Sequence, residues 1–185
     1  MDRVKPVKIH VFGPSGSGTT TLGESLNARL GLKHLDTDNF YWKKTEVPFS
    51  EKNSREIRIQ KLREEMEGVE SWVLTGSMSS WGDDFVPMFT HLVYLWIPWK
   101  IRKQRLLKRE HERYGEETLA PGGRMHSIHE VFIDWASKYD TAGPEQRSRI
   151  AHEAWIQTLP PELPVIRVEE DLTPEEVVES VIGRI

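Results

Sequence analysis

The sequence of 185 residues contains no cysteine, and this absence removes several classes of chemistry at once. Disulfide bonds, thiolate nucleophiles and zinc sites with cysteine ligands are all excluded. No run of 18 apolar residues occurs that could cross a bilayer, and residues 1–6 lack the continuous apolar stretch of a signal peptide. From these absences we expect a cytoplasmic protein without a membrane partner.

The sequence also lacks a large excess of positive or negative charge. Lys and Arg number 25 and Asp and Glu number 29, so the formal net charge is −4. This imbalance is too mild to predict nucleic acid as the main partner, and phosphate contacts have to come from local clusters of charge. Hydrophobic residues make up 37% and charged residues 29%, which is typical of a globular protein. The length predicts a single domain spanning residues 1–185.

Apolar, β-branched runs alternate along the chain with segments of helical periodicity. The runs predict five strands, at residues 7–12, 32–35, 72–75, 92–97 and 164–168. The periodic segments predict helices at residues 19–30, 50–67, 99–113, 128–139, 150–155 and 173–185. This alternation indicates an α/β fold in which a parallel sheet has helices on both faces. In such sheets ligands bind beyond the carboxyl ends of the strands, so the site is expected there.

A glycine-rich segment follows the first predicted strand and leads into the first helix. Residues 13–20 fit the phosphate-loop pattern G-x-x-x-x-G-K-[S/T] at every fixed position except the lysine, where Thr19 stands. In such a loop the backbone N–H groups and the positive end of the helix dipole bind a polyphosphate without any charged side chain. Thr20 would place its hydroxyl on a magnesium ion that bridges the phosphates. The alternative is an ordinary Gly/Ser turn between a strand and a helix.

The glycine-rich segment resembles the loop of a family of kinases. Its G-x-S-G-S-G-T-T-T form is similar to that of adenylate-kinase-like proteins, within the P-loop group of small nucleoside and metabolite kinases. The resemblance covers nearly the whole chain and extends to residues 36–38, 74–77, 102–113, 113–115, 121–123 and 139–149. The substrate of such a protein does not transfer with the fold.

The resemblance implies a five-stranded parallel sheet in strand order 2-3-1-4-5, with ATP and Mg²⁺ as cofactors. It implies an acceptor-binding arm at about residues 36–70 and a lid that closes over ATP at about residues 113–146, around a core of residues 6–35, 71–112 and 147–185. The residues that it assigns to the nucleotide phosphates are Gly13, Pro14, Ser15, Gly16, Ser17, Gly18, Thr19, Thr20 and Thr21.

Two carboxylates follow the second predicted strand. Because Asp36 and Asp38 are two residues apart, both side chains project to one side if the chain is still extended there. Resemblance to shikimate- and gluconate-type kinases implies that Asp36 helps to hold magnesium through water and that Asp38 binds or deprotonates an acceptor hydroxyl. The alternative is a turn or a helix N-cap, since aspartate is favoured in both.

Four arginines lie 3, 4 and 4 residues apart on one stripe of the helix predicted at residues 99–113, namely Arg102, Arg105, Arg109 and Arg113. The resemblance implies that Arg105 and Arg109 clamp the transferring phosphoryl group, with Arg124, Arg147 or Arg149 closing from the lid. One arginine would have to occupy the space of the missing lysine, because loss of a positive group there slows transfer by about 10³- to 10⁵-fold. The alternative is a solvated charged face, neutralised by Glu110, Glu112, Glu116 and Glu117.

The aromatic pair Tyr41 and Trp42 directly follows the two carboxylates and would stack on a planar base or ring of an acceptor. Trp81 would line the same pocket. Packing in the core is the alternative for all three side chains. The residues that we assign to acceptor binding are Asp38, Tyr41, Trp42, Gly76, Ser77 and Arg147.

These patterns together predict an ATP-binding phosphotransferase that moves the γ-phosphoryl group to a small-molecule or nucleotide acceptor held near Asp38, Trp42 and Arg109. Two other functions stay open: a nucleotide-binding switch or interaction protein that has lost the chemistry, and an ATPase that acts on water alone. The absent lysine favours the switch, whereas the pair of aspartates and the arginine stripe favour the kinase.

Overall fold

The computed structural model describes residues 5–185, which fall into two units. Residues 1–4, which begin the segment considered above for a signal peptide, lie outside the described residues. The first unit consists of the described residues up to Gly13, of Gly18–Leu95 and of Pro160–Ile185. The second unit consists of Pro14–Ser17 and Trp96–Leu159.

The first unit contains a five-stranded sheet. Its strands are β1 Lys8–Phe12, β2 Lys33–Asp36, β3 Trp72–Thr75, β4 His91–Leu95 and β5 Val165–Val168. The strand order is β2-β3-β1-β4-β5, and every neighbouring pair is parallel. This order confirms the predicted α/β fold class and the expected 2-3-1-4-5 arrangement. It places β1 at the centre, so the loop that follows β1 begins at the middle of the carboxyl edge of the sheet.

Helices of the first unit are α1 Thr19–Leu30, α2 Asp38–Tyr41, α3 Arg55–Met66 and α8 Pro174–Ile182, with a 3₁₀ turn at Asp83–Met88. Those of the second unit are α4 Trp99–Tyr114, α5 Glu116–Leu119, α6 His126–Ser137 and α7 Arg149–Gln157, with a 3₁₀ turn at Lys138–Asp140. No helix within residues 5–185 combines the length and the apolarity that crossing a membrane requires.

Successive side chains of β1 point to opposite faces of the sheet, and those on both faces are buried. Ile9 and Val11 pack in one apolar cluster with Leu26 of α1 and Val178 of α8. His10 and Phe12 lie on the opposite face by strand alternation, and their rings stack with centroids 5.2 Å apart. A central parallel strand is covered on both faces, and residues 9–12 of β1 are accordingly all buried.

Local sequence signals set several of the helix ends. Gly31 follows α1 in a left-handed conformation with φ 68°, and the helix ends at Leu30, the last residue of the range predicted from the sequence. Thr173 and Glu176 form a capping box at the start of α8, and this boundary is also confirmed. The helix predicted at residues 50–67 begins later, at Arg55, because the Ser54 side chain accepts a hydrogen bond from the Ile57 N–H and caps it there.

Candidate active site

The loop that follows β1 turns through two glycines in left-handed backbone conformations. Gly16 has φ 84°, and Gly18, which precedes α1, has φ 99°. A Cβ at residue 16 would lie 2.9 Å from the carbonyl oxygen of Arg102, so residue 16 must be glycine on steric as well as conformational grounds. The Ser17 N–H donates to the Pro14 carbonyl oxygen over 3.2 Å and closes a tight turn. Glycine loops that lead into a helix present their backbone N–H groups to anions.

In the first unit, the structure brings together the two residues that the sequence assigns to magnesium. The hydroxyl of Thr20, in the first turn of α1, donates a hydrogen bond of 3.2 Å to Oδ2 of Asp36, at the end of β2. Hydroxyl and carboxylate oxygens are hard ligands, and Mg²⁺ is usually held by one or two carboxylates, by substrate phosphates and by water. Within residues 5–185 no group of three or more His, Cys, Asp or Glu side chains forms a metal site. The Thr20 hydroxyl and the Asp36 carboxylate are donors of the kind that fit a Mg²⁺ ion whose other ligands are phosphate oxygens and water.

The chain is not extended between Asp36 and Asp38, so the condition under which both side chains would project to one side is not met. Thr37 has helical backbone angles, φ −57° and ψ −29°, and Asp38 is the first residue of α2. The Asp38 N–H donates to Oδ1 of Asp36 over 2.9 Å, so the Asp36 carboxylate stabilises a turn. The turn that the sequence offered as an alternative is the observed geometry. Asp38 is exposed, and its role toward an acceptor stays a prediction.

Gly76 allows the chain beyond β3 to lie against the turn after β2. It has φ 102°, and a Cβ there would fall 2.1 Å from the hydroxyl of Thr37. The Thr37 N–H also donates to the Thr75 carbonyl oxygen over 2.9 Å. Gly76 and Ser77, both assigned to the acceptor, thus lie beside the segment that carries Asp36 and Asp38, at the carboxyl ends of neighbouring strands.

Tyr41 and Trp42 form an edge-to-face aromatic pair with ring centroids 4.8 Å apart, and both are half-buried. Cations cover these rings: the guanidinium carbon of Arg58 lies 3.8 Å from the Tyr41 ring centroid, and the ammonium of Lys52 lies 5.8 Å from that of Trp42. Sequence reasoning missed both cations, since nothing in their spacing distinguishes them from solvated charges. Trp81 is 1% exposed and donates its Nε1–H to the Ser77 carbonyl oxygen, so the core alternative is correct for it.

In the second unit, the alternative of one solvated charged face on α4 is wrong for Arg102. The Arg102 side chain is fully buried, and its Nη2 lies 2.6 Å from Oδ2 of Asp140. Its Nε donates to the Ile97 carbonyl oxygen over 2.9 Å and its Nη1 to the Ala136 carbonyl oxygen over 3.3 Å. A buried guanidinium is tolerated when a carboxylate and carbonyl oxygens satisfy it in this way.

The two arginines that we assign to the phosphoryl group lie further along α4, and both are exposed. Nη2 of Arg109 forms an ion pair with the buried Glu110 carboxylate over 3.1 Å. This pair agrees with the alternative that neighbouring glutamates neutralise part of the charge. The assignment of Arg105 and Arg109 to the transferring group stays a prediction.

Two other arginines contact the loop residue Ser15 within the second unit. Nη2 of Arg147 donates to the Ser15 hydroxyl over 2.6 Å, and Nη1 of Arg102 donates to the Ser15 carbonyl oxygen over a longer 3.5 Å. The guanidinium of Arg147 also lies over the ring of Trp135, 4.5 Å from its centroid. Sequence reasoning did not single out Arg102 for this role, because its partners are 38 and 87 residues away.

Known proteins resemble the chain both in sequence and in fold. The AAA_18 family, an AAA domain, matches residues 9–125. The uncharacterized protein YqaC of Bacillus subtilis (strain 168) is 43% identical over 179 residues, which cover 94% of each chain. A shikimate kinase from Acinetobacter baumannii, solved with shikimate, is 18% identical with a TM-score of 0.55, over 96% of this chain and 92% of that one. A sugar kinase from Janibacter sp. HTCC2649 is 19% identical with a TM-score of 0.54, over 96% of this chain and 93% of that one. The two solved structures establish a P-loop kinase-like fold.

Proposed function

The chain belongs to the AAA_18 family of AAA domains, and from this membership and its loop geometry we propose that it binds ATP with Mg²⁺ and transfers the γ-phosphoryl group to a small-molecule or nucleotide acceptor. The observation that carries the proposal is the glycine loop between β1 and α1, with left-handed backbone at Gly16 and Gly18. Residues 13–21 bind the phosphate chain mainly through backbone N–H groups.

Magnesium would be held by Thr20 through its hydroxyl and by Asp36 through water. The hydrogen bond between these two side chains supports the assignment, because it holds both oxygen donors in one place. A magnesium ion held there would supply positive charge against the phosphate charge that develops during transfer. Asp36 has a second role, since it also orients the turn that carries Asp38.

Asp38 is the proposed general base. The acceptor oxygen forms a bond to the γ-phosphorus as the bond to the β,γ-bridging oxygen breaks, ADP leaves, and the acceptor proton passes to the Asp38 carboxylate. The exposed position of Asp38 at the start of α2 leaves it accessible to such an acceptor. Gly76 and Ser77 border the same turn, and Tyr41 and Trp42 provide an aromatic surface for the acceptor.

Arg105 and Arg109 are proposed to stabilise the transferring phosphoryl group. Both are exposed arginines, which can bind a phosphate through two N–H groups at once. Residues 113–146 would then act as a lid and residues 36–70 as an acceptor arm. Phosphoryl transfer depends mainly on such positioning and on charge stabilisation, because the protein itself forms no covalent bond.

A second candidate function is a nucleotide-binding switch, or an ATPase that acts on water alone. Thr19 favours this candidate, because the side chain that usually contacts the β- and γ-phosphates is absent at that position. The aspartate pair favours the kinase, because Asp38, whose N–H donates to Asp36, provides a carboxylate that could take the proton of an acceptor hydroxyl.

Incubation with Mg·ATP and a panel of nucleotides and small hydroxylated metabolites, with products identified by ³¹P NMR and mass spectrometry, tests the proposed function. A phosphorylated acceptor is expected for the wild type and for Asp84→Asn, a control carboxylate that pairs with Arg55 over 2.6 Å. Asp38→Asn should bind ATP normally and form at least about 100-fold less product. Release of inorganic phosphate alone would support the ATPase, and ATP binding without any turnover would support the switch.

A further inference from the structure

Ser15 is the loop residue that two arginines of the second unit contact. Arg147 donates to its hydroxyl over 2.6 Å, and Arg102 donates to its carbonyl oxygen over 3.5 Å. Arg102 comes from α4, whereas Arg147 precedes α7. Both guanidinium groups are charged at any physiological pH. Two permanent positive charges therefore contact a loop whose motif has lost its lysine.

Arg102 orients the backbone of the loop. A trans peptide directs its C=O and its N–H in opposite directions, so the contact that turns the Ser15 carbonyl toward Arg102 turns the Gly16 N–H away from it. The buried Arg102 side chain is held by Asp140 and by the carbonyl oxygen of Ile97. It is a positioning residue, because a fully buried guanidinium acts on a ligand through Ser15 and not by direct contact.

Arg147 has a different environment. It is half-buried, and its guanidinium is stacked on Trp135 at 4.5 Å, within the range of a cation–π interaction. The stacking fixes the plane of the guanidinium, while the hydrogen bond to Ser15 fixes its distance from the loop. A guanidinium has five N–H donors in a rigid fork, so it can contact Ser15 and a phosphate oxygen together.

We propose that Arg147 supplies the positive charge that the loop lacks at Thr19, and that it binds the phosphate chain of the nucleotide beside Ser15. Arg102 supports it by fixing the peptide between Ser15 and Gly16. This inference rests on the proposed function, since it requires that the loop binds nucleotide phosphates. It explains how a loop without its lysine retains affinity for a polyphosphate.

Isothermal titration of four proteins with Mg·ATP tests whether Arg147 takes the role of the missing lysine. They are the wild type, Arg147→Ala, Thr19→Lys and the double variant. Arg147→Ala should raise the Kd by about 10- to 100-fold, as expected for loss of a hydrogen-bonded charge. Thr19→Lys should restore the Kd of the Arg147→Ala protein to within about threefold of the wild type, and should improve the wild type much less. Such non-additivity is expected because either cation neutralises the same phosphates.

Two further variants distinguish the effect of the Arg147 charge on the Kd from an effect of the substitution on folding. Arg147→Gln retains a hydrogen-bond donor for Ser15 without the charge, and it should weaken binding about as much as alanine does. Lys138→Ala removes a positive charge that pairs with Asp134 in the same unit, and it should change the Kd by less than about twofold. Thermal unfolding of each protein confirms that the native state is populated.

An unchanged Kd in Arg147→Ala or Arg147→Gln would overturn the inference. It would also be overturned if Thr19→Lys lowered the Kd by the same factor in the wild type and in the Arg147→Ala protein. In these cases the wild type still binds ATP, and the proposed function stands. If the wild type does not bind Mg·ATP at all, the proposed function fails and the inference fails with it.

Discussion

The hydroxyl of Thr20 donates a hydrogen bond of 3.2 Å to the carboxylate of Asp36, although the two residues belong to different elements and lie 16 positions apart. The same carboxylate accepts a hydrogen bond from the Asp38 N–H over 2.9 Å. Asp36 thereby joins the first turn of α1 to the turn that begins α2. The side chain proposed to help hold magnesium therefore also positions the segment proposed to bind the acceptor.

Replacing Thr20 with valine tests its contribution to metal binding. The variant removes the hydroxyl and keeps a side chain of similar shape. We expect the Kd for ATP in excess Mg²⁺ to rise about 10-fold, equivalent to about 1.4 kcal/mol, and the Kd measured in EDTA to change by less than about twofold. An equal rise of the Kd under both conditions would show that Thr20 acts on the phosphates or the fold rather than on the metal.

Gly76 should be far less tolerant of alanine than Gly31, although both have positive φ angles of 102° and 68°. At residue 31 an added Cβ meets nothing within 4 Å, so Gly31→Ala should cost only the backbone strain, about 1 kcal/mol. At residue 76 the Cβ would fall 2.1 Å from the Thr37 hydroxyl, and Gly76→Ala should lower the free energy of unfolding by about 2 to 4 kcal/mol. Urea unfolding of the two variants checks this, and equal losses would refute the packing of Gly76 against Thr37.

The pair formed by Arg102 and Asp140 should be strongly coupled in stability. Asp140→Asn leaves a fully buried guanidinium without its counter-charge, and we expect a loss of about 3 kcal/mol in the free energy of unfolding. The double variant Arg102→Met with Asp140→Asn should be more stable than Asp140→Asn alone, because no uncompensated charge remains. Denaturant unfolding of the two single variants and the double variant completes the cycle. Additive losses would mean that the two side chains do not interact.

Because His10 is buried, the free energy of unfolding should fall in mild acid. Burial lowers the pKa of His10 from 6.5 to about 4, although its hydrogen bond to the Leu74 carbonyl oxygen acts in the opposite direction. The unfolded state therefore binds a proton more readily than the folded state. The stabilisation from a neutral His10 is complete above pH 6.5 and is lost as the pH falls toward 4, by about 3 kcal/mol in total. His10→Gln should show a flatter dependence of the unfolding free energy on pH, and identical slopes for both proteins would contradict the assignment.

Much of the fold could be predicted because its signals are local. Strands such as β3 and β4 are mainly apolar, since a parallel strand inside a sheet is covered on both faces, and the caps at Gly31 and Thr173 lie within a few residues of the helix ends that they determine. The short helix α2 follows from neither strand alternation nor helical periodicity, and the sequence offers only a turn or a helix N-cap at Asp36 and Asp38 as an alternative to an extended chain. The Asp36 carboxylate ends that alternation by accepting the N–H of Asp38.

The arginines of the site were harder to predict, because their roles depend on partners far away in sequence. Arg102 has the same helical spacing as Arg105, yet it is buried and paired with Asp140, whereas Arg105 is exposed. Periodicity defines a face of a helix, but it does not show what packs against that face. The contact between Arg147 and Ser15 joins residues 132 positions apart, and no local pattern indicates it.

The proposed function depends on backbone N–H groups of the loop after β1, which we propose to bind the phosphates of ATP although Thr19 replaces the lysine. Calorimetric titration of the wild type and of Gly16→Val with Mg·ATP tests this binding, because a side chain at residue 16 would meet the Arg102 carbonyl oxygen at a positive φ and so would displace the loop. We expect one ATP bound per chain with a Kd below about 1 mM in the wild type, and at least about 10-fold weaker binding in a folded Gly16→Val protein. No saturable binding by the wild type, or equal binding by both proteins, would contradict it.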